Sequence, residues 1–184
     1  YQLSSIPRVR SEQALANFAY YPVRRLEAEV LIDALCQITG TGERYMSETP
    51  EPFSYIPDSQ RTIYLADGSV TSPFLEMFGR PPRDTGLESE RSNRPTPSQR
   101  LHVLNSSHIL NKLKAEKFQS LIYANKSDRD VIRDIYLTFL SRLPTDDEIK
   151  TVETYSRSKV VQGRQGLLDL AWALMNTDEF LYRH

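Results

Sequence analysis

Arginine and carboxylate side chains crowd one stretch of the chain, FGRPPRDTGLESERSNRPTPSQRLHVLN at 78–105. It carries Arg80, Arg83, Asp84, Glu88, Glu90, Arg91, Arg94 and Arg100 among prolines and glycines. Guanidinium forks at that density suit bidentate recognition of carboxylate, sulfate or sugar groups. On that reading Arg83, Arg91 and Arg100 hold an anionic ligand, and Asp84, Glu88 and Glu90 orient them. The same residues can instead neutralise one another, or pair with Glu27 and Glu29 upstream, and pin a long loop to the body of the domain. Breaking a buried pair is costly, and perturbed charge networks often serve structure. The structural reading is therefore preferred, with the ligand reading kept beside it.

Other chemistries find little support. Glu88 and Glu90 stand two positions apart on a loop, which gives no controlled separation across a sugar ring. Asp146, Asp147 and Glu148 form an acidic run, but its place in a helix first turn is explained by the helix dipole, and EF-hand ligand spacing is absent. The single cysteine, Cys36, rules out an internal disulfide and CxxC metal sites. It falls on an apolar helical face and reads as a small buried hydrophobe. The three histidines, His102, His108 and His184, make neither HExxH nor an i,i+4 pair. There is no GxSxG elbow, no GxGxxG and no Walker A loop. No catalytic residue, metal ligand or cofactor is expected. A net charge of -1 and a pI near 6.4 provide no global basic field for nucleic acid. Of the 23 basic residues 17 are arginine, which favours planar pairing with carboxylates or reflects genome composition. No apolar run reaches membrane-spanning length.

The elements that must position these groups are mostly helical. A short helix is predicted within 12–18. Pro22 reads as a first helical residue, and Val23, Leu26, Val30, Leu31, Ala34, Leu35 and Ile38 continue an apolar stripe to Gly40, with Arg24, Arg25, Glu29 and Asp33 off it. Residues 41–97 read as a long irregular insertion, with a short strand or hairpin at 61–71 around Asp67-Gly68 and one or two helical turns at 73–78 anchored by Phe74, Leu75 and Phe78. Two capping boxes punctuate the remainder of the chain, Thr96-Pro-Ser-Gln99 and Thr145-Asp-Asp-Glu148. Ser106 or Ser107, Ser127 and Thr177 are further cap candidates. Leu101 and Leu104, Ile109 and Leu113, Val131 to Leu140, Ile149 to Tyr155 and Leu167 to Met175 supply inward faces. Trp172 reads as core. Aromatics such as Tyr45, Phe53, Tyr55 and Tyr64 pack the long loop or line a groove.

Three stretches together resemble a known bacterial family: RRLEAEVLIDALCQITG, FGRPPRDTGLESERSNRPTPSQRLHVLNSSHI, and YLTFLSRLPTDDEI followed by DLAWALMNTDEFLYRH. The resemblance is to the C-terminal domain of unknown function in large extracytoplasmic proteins of planctomycetes and related bacteria. In those parents it commonly follows a companion domain and often a cytochrome c-like domain. The resemblance implies an envelope or secreted location and a multidomain parent, and it brings no established reaction. Many members carry cysteines where this chain has Thr85-Gly86-Leu87-Glu88-Ser89, so thiol or metal chemistry proposed there does not transfer.

The reading is a single, mainly α domain over 1–184, a fragment of a larger protein. It has a long N-terminal helix, a long irregular segment with a short β element, and a C-terminal antiparallel helical bundle. Its expected role is a non-catalytic interaction or structural module, with partners among the neighbouring domains of its parent, an envelope protein or a polysaccharide. The alternatives are a polysaccharide-binding or polysaccharide-acting domain using the arginine-rich loop, and a docking module for a cytochrome domain.

Overall fold

The computed structural model describes residues 6–45, 56–65, 70, 72–80, 90–92, 94–158 and 163–183. Within them the chain runs α1 (Glu12–Ala16), β1 (Arg24–Arg25), α2 (Ala28–Thr39), a 3-10 turn (Thr62–Tyr64), α3 (Pro73–Met77), α4 (Pro97–Asn105), α5 (Ser107–Leu113), α6 (Glu116–Ile122), α7 (Asp128–Leu140), α8 (Asp146–Ser156), α9 (Gln165–Met175), α10 (Asp178–Leu181) and β2 (Tyr182–Arg183). The fold is mainly α. No helix among the described residues is long and apolar enough to cross a membrane.

Two centres organise the packing. α2 lies against α3, α5, α6 and the 3-10 turn, while α9 lies against α5, α7 and α8. Leu31, Ile32 and Leu35 of α2 meet one continuous core with Phe118, Ile122, Ile132, Ile135 and Met175. Each side chain of that size stabilises by about 1.5–3 kcal/mol when fully buried, so this shared core is what fixes the helices relative to one another.

The helix boundaries follow their side chains. Thr96 and Thr145 each accept from the backbone N–H three residues on, and Gln99 and Glu148 return the favour to the cap N–H. Ser72, Ser106, Ser127 and Thr177 cap α3, α5, α7 and α10 in the simpler form. α2 ends on Gly40 at φ 71, a left-handed position that glycine adopts without strain.

Four sequence expectations are corrected. The long N-terminal helix begins at Ala28 rather than beside Pro22, because Arg24 and Arg25 are taken into an antiparallel pair with Arg183 and Tyr182. The N–H of Leu26 continues the tie by donating to the Leu181 carbonyl at 2.9 Å. Within 61–71, where a β element is expected, Thr62–Tyr64 forms a 3-10 turn, and the strand pair among the described residues is Arg24–Arg25 with Tyr182–Arg183. The Asp67-Gly68 turn lies outside the described residues. Asp33 is buried rather than off the packed face, since its carboxylate accepts from the N–H groups of Thr62 and Ile63 at 2.8 and 3.1 Å. Leu101 and Val30 are exposed, and Val103 takes the inward position on α4.

Candidate functional site

The charged centre forms where α2 meets the segments flanking α3 and α4. Glu29, in the first turn of α2, is almost fully buried. Arg91 closes on it with two parallel bonds, Nη1 to Oε2 and Nη2 to Oε1, both 2.9 Å. The same Nη1 lies 4.0 Å from Glu27. Arg80 also reaches Glu29, Nε to Oε1 at 3.5 Å, with only 3% of its side chain exposed. A fork-to-fork pair of this kind is stronger and more directional than a neutral hydrogen bond.

Gly79 allows this approach. Its φ is 102, and a Cβ there would collide with the Ser92 carbonyl. Ser92 N–H donates to the Gly79 carbonyl at 3.1 Å, which holds the 90–92 strap against the end of α3. Only a residue without a side chain permits this contact.

A third arginine completes the clasp. Arg25 is buried, donates to Gln99 Oε1 and to the Phe78 carbonyl, and stacks over the Phe78 ring at 5.4 Å. Burial pulls its pKa down from the ordinary arginine value, against a smaller opposing effect of Tyr182. Gln99 is the hub. It accepts from the Thr96 N–H as the capping-box partner and donates to the Met77 carbonyl at 2.7 Å. One amide thus caps α4 and ties it to β1 and α3.

Of the residues singled out in sequence, the structure brings Arg91 onto Glu29 and Glu27. Glu90 and Arg100 are exposed, and Arg100 has no carboxylate at ion-pair distance among the described residues. Arg83, Asp84 and Glu88 lie outside the described residues. Arg80 belongs to the charge cluster but not to the candidate site drawn from sequence. Arg25 was missed because its neighbours read as a helix. A sequence signal exists for Arg80, which follows Gly79; Arg25 stands between Arg24 and Leu26 and meets Phe78 only through the tertiary structure. No group of three or more His, Cys, Asp and Glu with metal-binding geometry occurs among the described residues.

A concave feature elsewhere is apolar. α9 reads QGLLDLAWALM, and a helix so apolar on all sides demands cover all round. Leu167, Leu170, Ala171, Leu174 and Met175 find it in the core. Leu168, Trp172 and Ala173 are left along a groove of about 1010 Å³ shared with Leu110, Val152 and Tyr155. Trp172 satisfies its Nε1–H on the Leu104 carbonyl at 3.1 Å and gives its ring to the groove. Asp147, Glu148, Asp169 and Lys114 are the charged residues of its lining.

Fold and site together define a mainly helical domain with an arginine clasp on α2 and an apolar groove between α5, α8 and α9. The chain belongs to the PSD1 family, described as a protein of unknown function (DUF1553), whose family model matches residues 1–156. No curated protein and no solved structure matches the chain.

Proposed function

We propose that this domain is a non-catalytic interaction module of a larger multidomain protein. In this reading the groove between α5, α8 and α9 receives an amphipathic helix from a neighbouring part of the same parent. The observation that carries the reading is the groove itself: its lining is mainly apolar and includes three carboxylates and one lysine, with Glu148 and Asp147 also meeting Arg142 and Lys150. A helix apolar on one face and basic at its edges complements both features. The lead-in to β1 repeats the theme, since α1 has no buried residue and Ile6 and Phe18 are 80% and 77% exposed. Apolar surface of this kind fits a chain that is covered in its assembly. The family resemblance supports an extracytoplasmic parent of planctomycete type. The clasp supports a structural duty for Arg91, whose fork is occupied by Glu29.

Trp172 is the only tryptophan, so its emission reports directly on the groove. A Leu/Lys amphipathic helical peptide should bind saturably and shift that emission, and a Leu/Glu peptide of the same pattern should not. Ala173→Glu, at an exposed position on the groove, should abolish the shift at an unchanged melting temperature. Equal binding of both peptides, or unimpaired binding by Ala173→Glu, would defeat the reading.

A further inference from the structure

Lys112 is the most deeply enclosed lysine among the described residues, with 5% of its surface exposed on α5. Its ammonium is 2.6 Å from Glu43 Oε1, and it donates to Thr41 Oγ1 at 3.1 Å, to the Gly42 carbonyl at 3.4 Å and to Cys36 Sγ at 3.1 Å. Glu43 also meets His108 Nε2 at 2.7 Å, and His108 is partly open to solvent. Burial alone pushes the Glu43 carboxyl up, but the bonds from His108 and Lys112 outweigh it and hold the group below the ordinary range. Cys36, on α2, is half-buried. It lines a polar cavity of about 480 Å³ together with Thr41, Gly42 and Glu43, three of the residues that hold the lysine. A thiol, an amine, a proton acceptor and a way in for a small polar oxidant therefore share one place.

We propose that Cys36 and Lys112 form an oxidation-driven cross-link between α2 and α5, a modification site that responds to hydrogen peroxide. In the first step the Cys36 thiolate attacks one oxygen of peroxide and the O–O bond breaks. The other oxygen leaves as hydroxide and becomes water on taking a proton. Sulfur loses two electrons, peroxide gains them, and a sulfenic acid stands on Cys36. In the second step the Lys112 ammonium passes one proton through Glu43 and His108 to solvent, and the freed amine attacks the sulfenic sulfur. The S–N bond forms and the S–O bond breaks. The departing hydroxide leaves as water with the second proton of nitrogen. This condensation is redox-neutral, so one peroxide suffices. Added thiol reverses it by attacking sulfur, displacing the amine and leaving a mixed disulfide that a second thiol reduces.

The neighbourhood favours this outcome over further oxidation of sulfur. Thr41, Gly42 and Glu43 hold Lys112 against Cys36. With Cys36 the sole cysteine of the chain, no internal thiol competes for the sulfenic acid.

The test treats the full chain with a small excess of hydrogen peroxide and follows intact mass and tryptic peptides. The expected product is lighter by two hydrogens, resists cleavage after Lys112, and yields one species joining the peptides of Cys36 and Lys112. Dithiothreitol restores the starting mass. Cys36→Ser should give none of this, and Lys112→Arg should stop at a sulfenic acid that dimedone traps. Should Lys112→Arg fail to fold, the wild-type peptide map decides alone. Oxygen added to Cys36 with the Lys112 peptide unchanged, a disulfide-linked dimer in its place, or a thiol inert to peroxide in the folded chain would each overturn the proposal.

Discussion

At the residue scale, Glu29 is the carboxylate on which the clasp depends, since Arg91 and Arg80 both address it. Removing one side of a buried pair leaves the other charge desolvated, a loss of roughly 3–5 kcal/mol. Glu29→Ala should therefore lower the urea midpoint strongly, and Arg91→Ala should lower it by a smaller step because its side chain is 18% exposed. Arg100→Ala, at an exposed position, should stay within about 0.5 kcal/mol of wild type. Equal midpoints for Arg91→Ala and Arg100→Ala would remove the clasp from the account of the fold. The arginine-rich composition pointed to this pairing chemistry, whereas the choice of Arg25 and Arg80 as buried members depended on where the 90–92 strap and β1 come to rest.

At the element scale, capping is both local and connective. Thr145→Ala removes one hydroxyl acceptor from the first turn of α8 and should cost about 1 kcal/mol. Gln99→Ala should cost more, because the lost amide also serves Arg25 and the Met77 carbonyl. Paired denaturation curves for the two variants measure the difference, and a smaller loss for Gln99→Ala would show that the hub adds nothing beyond its cap. Both capping boxes were legible in sequence, because a threonine and a glutamine or glutamate at this spacing need only their own backbone. The second duty of Gln99 was not legible, because its partners are 74 and 22 residues away.

At the scale of the whole molecule, Arg142 joins three elements. Positioned after α7, it bonds Glu148 at the start of α8 at 2.8 and 3.0 Å and Glu179 in α10 at 2.6 and 2.9 Å. Hydrogen bonds from Arg142 outweigh partial burial and hold the Glu148 carboxyl down to about 2. A depressed folded-state pKa contributes stability above the unfolded value, near 4.3, and loses it as pH falls through about 2. The melting temperature should fall over that window, and Glu148→Gln should show a shallower fall from a lower starting point. Parallel curves for the two proteins would place the acid sensitivity elsewhere. Both ions are partly exposed, so the effect is smaller than a buried pair would give.

What the sequence by itself determined is the mainly α architecture, most helix starts and the chemistry available to the charged loop. These rest on spacings of three or four residues, within which a side chain reads its own backbone and its own helix face. The tertiary structure alone decided that α2 starts after a strand pair tying Arg24–Arg25 to Tyr182–Arg183, that Asp33 turns inward, that Glu29 gathers its arginines, and that Cys36 meets Lys112 across 76 positions. Those outcomes depend on which distant segments share one core, and burial then sets whether a charge is a solvated tip or a fixed tie.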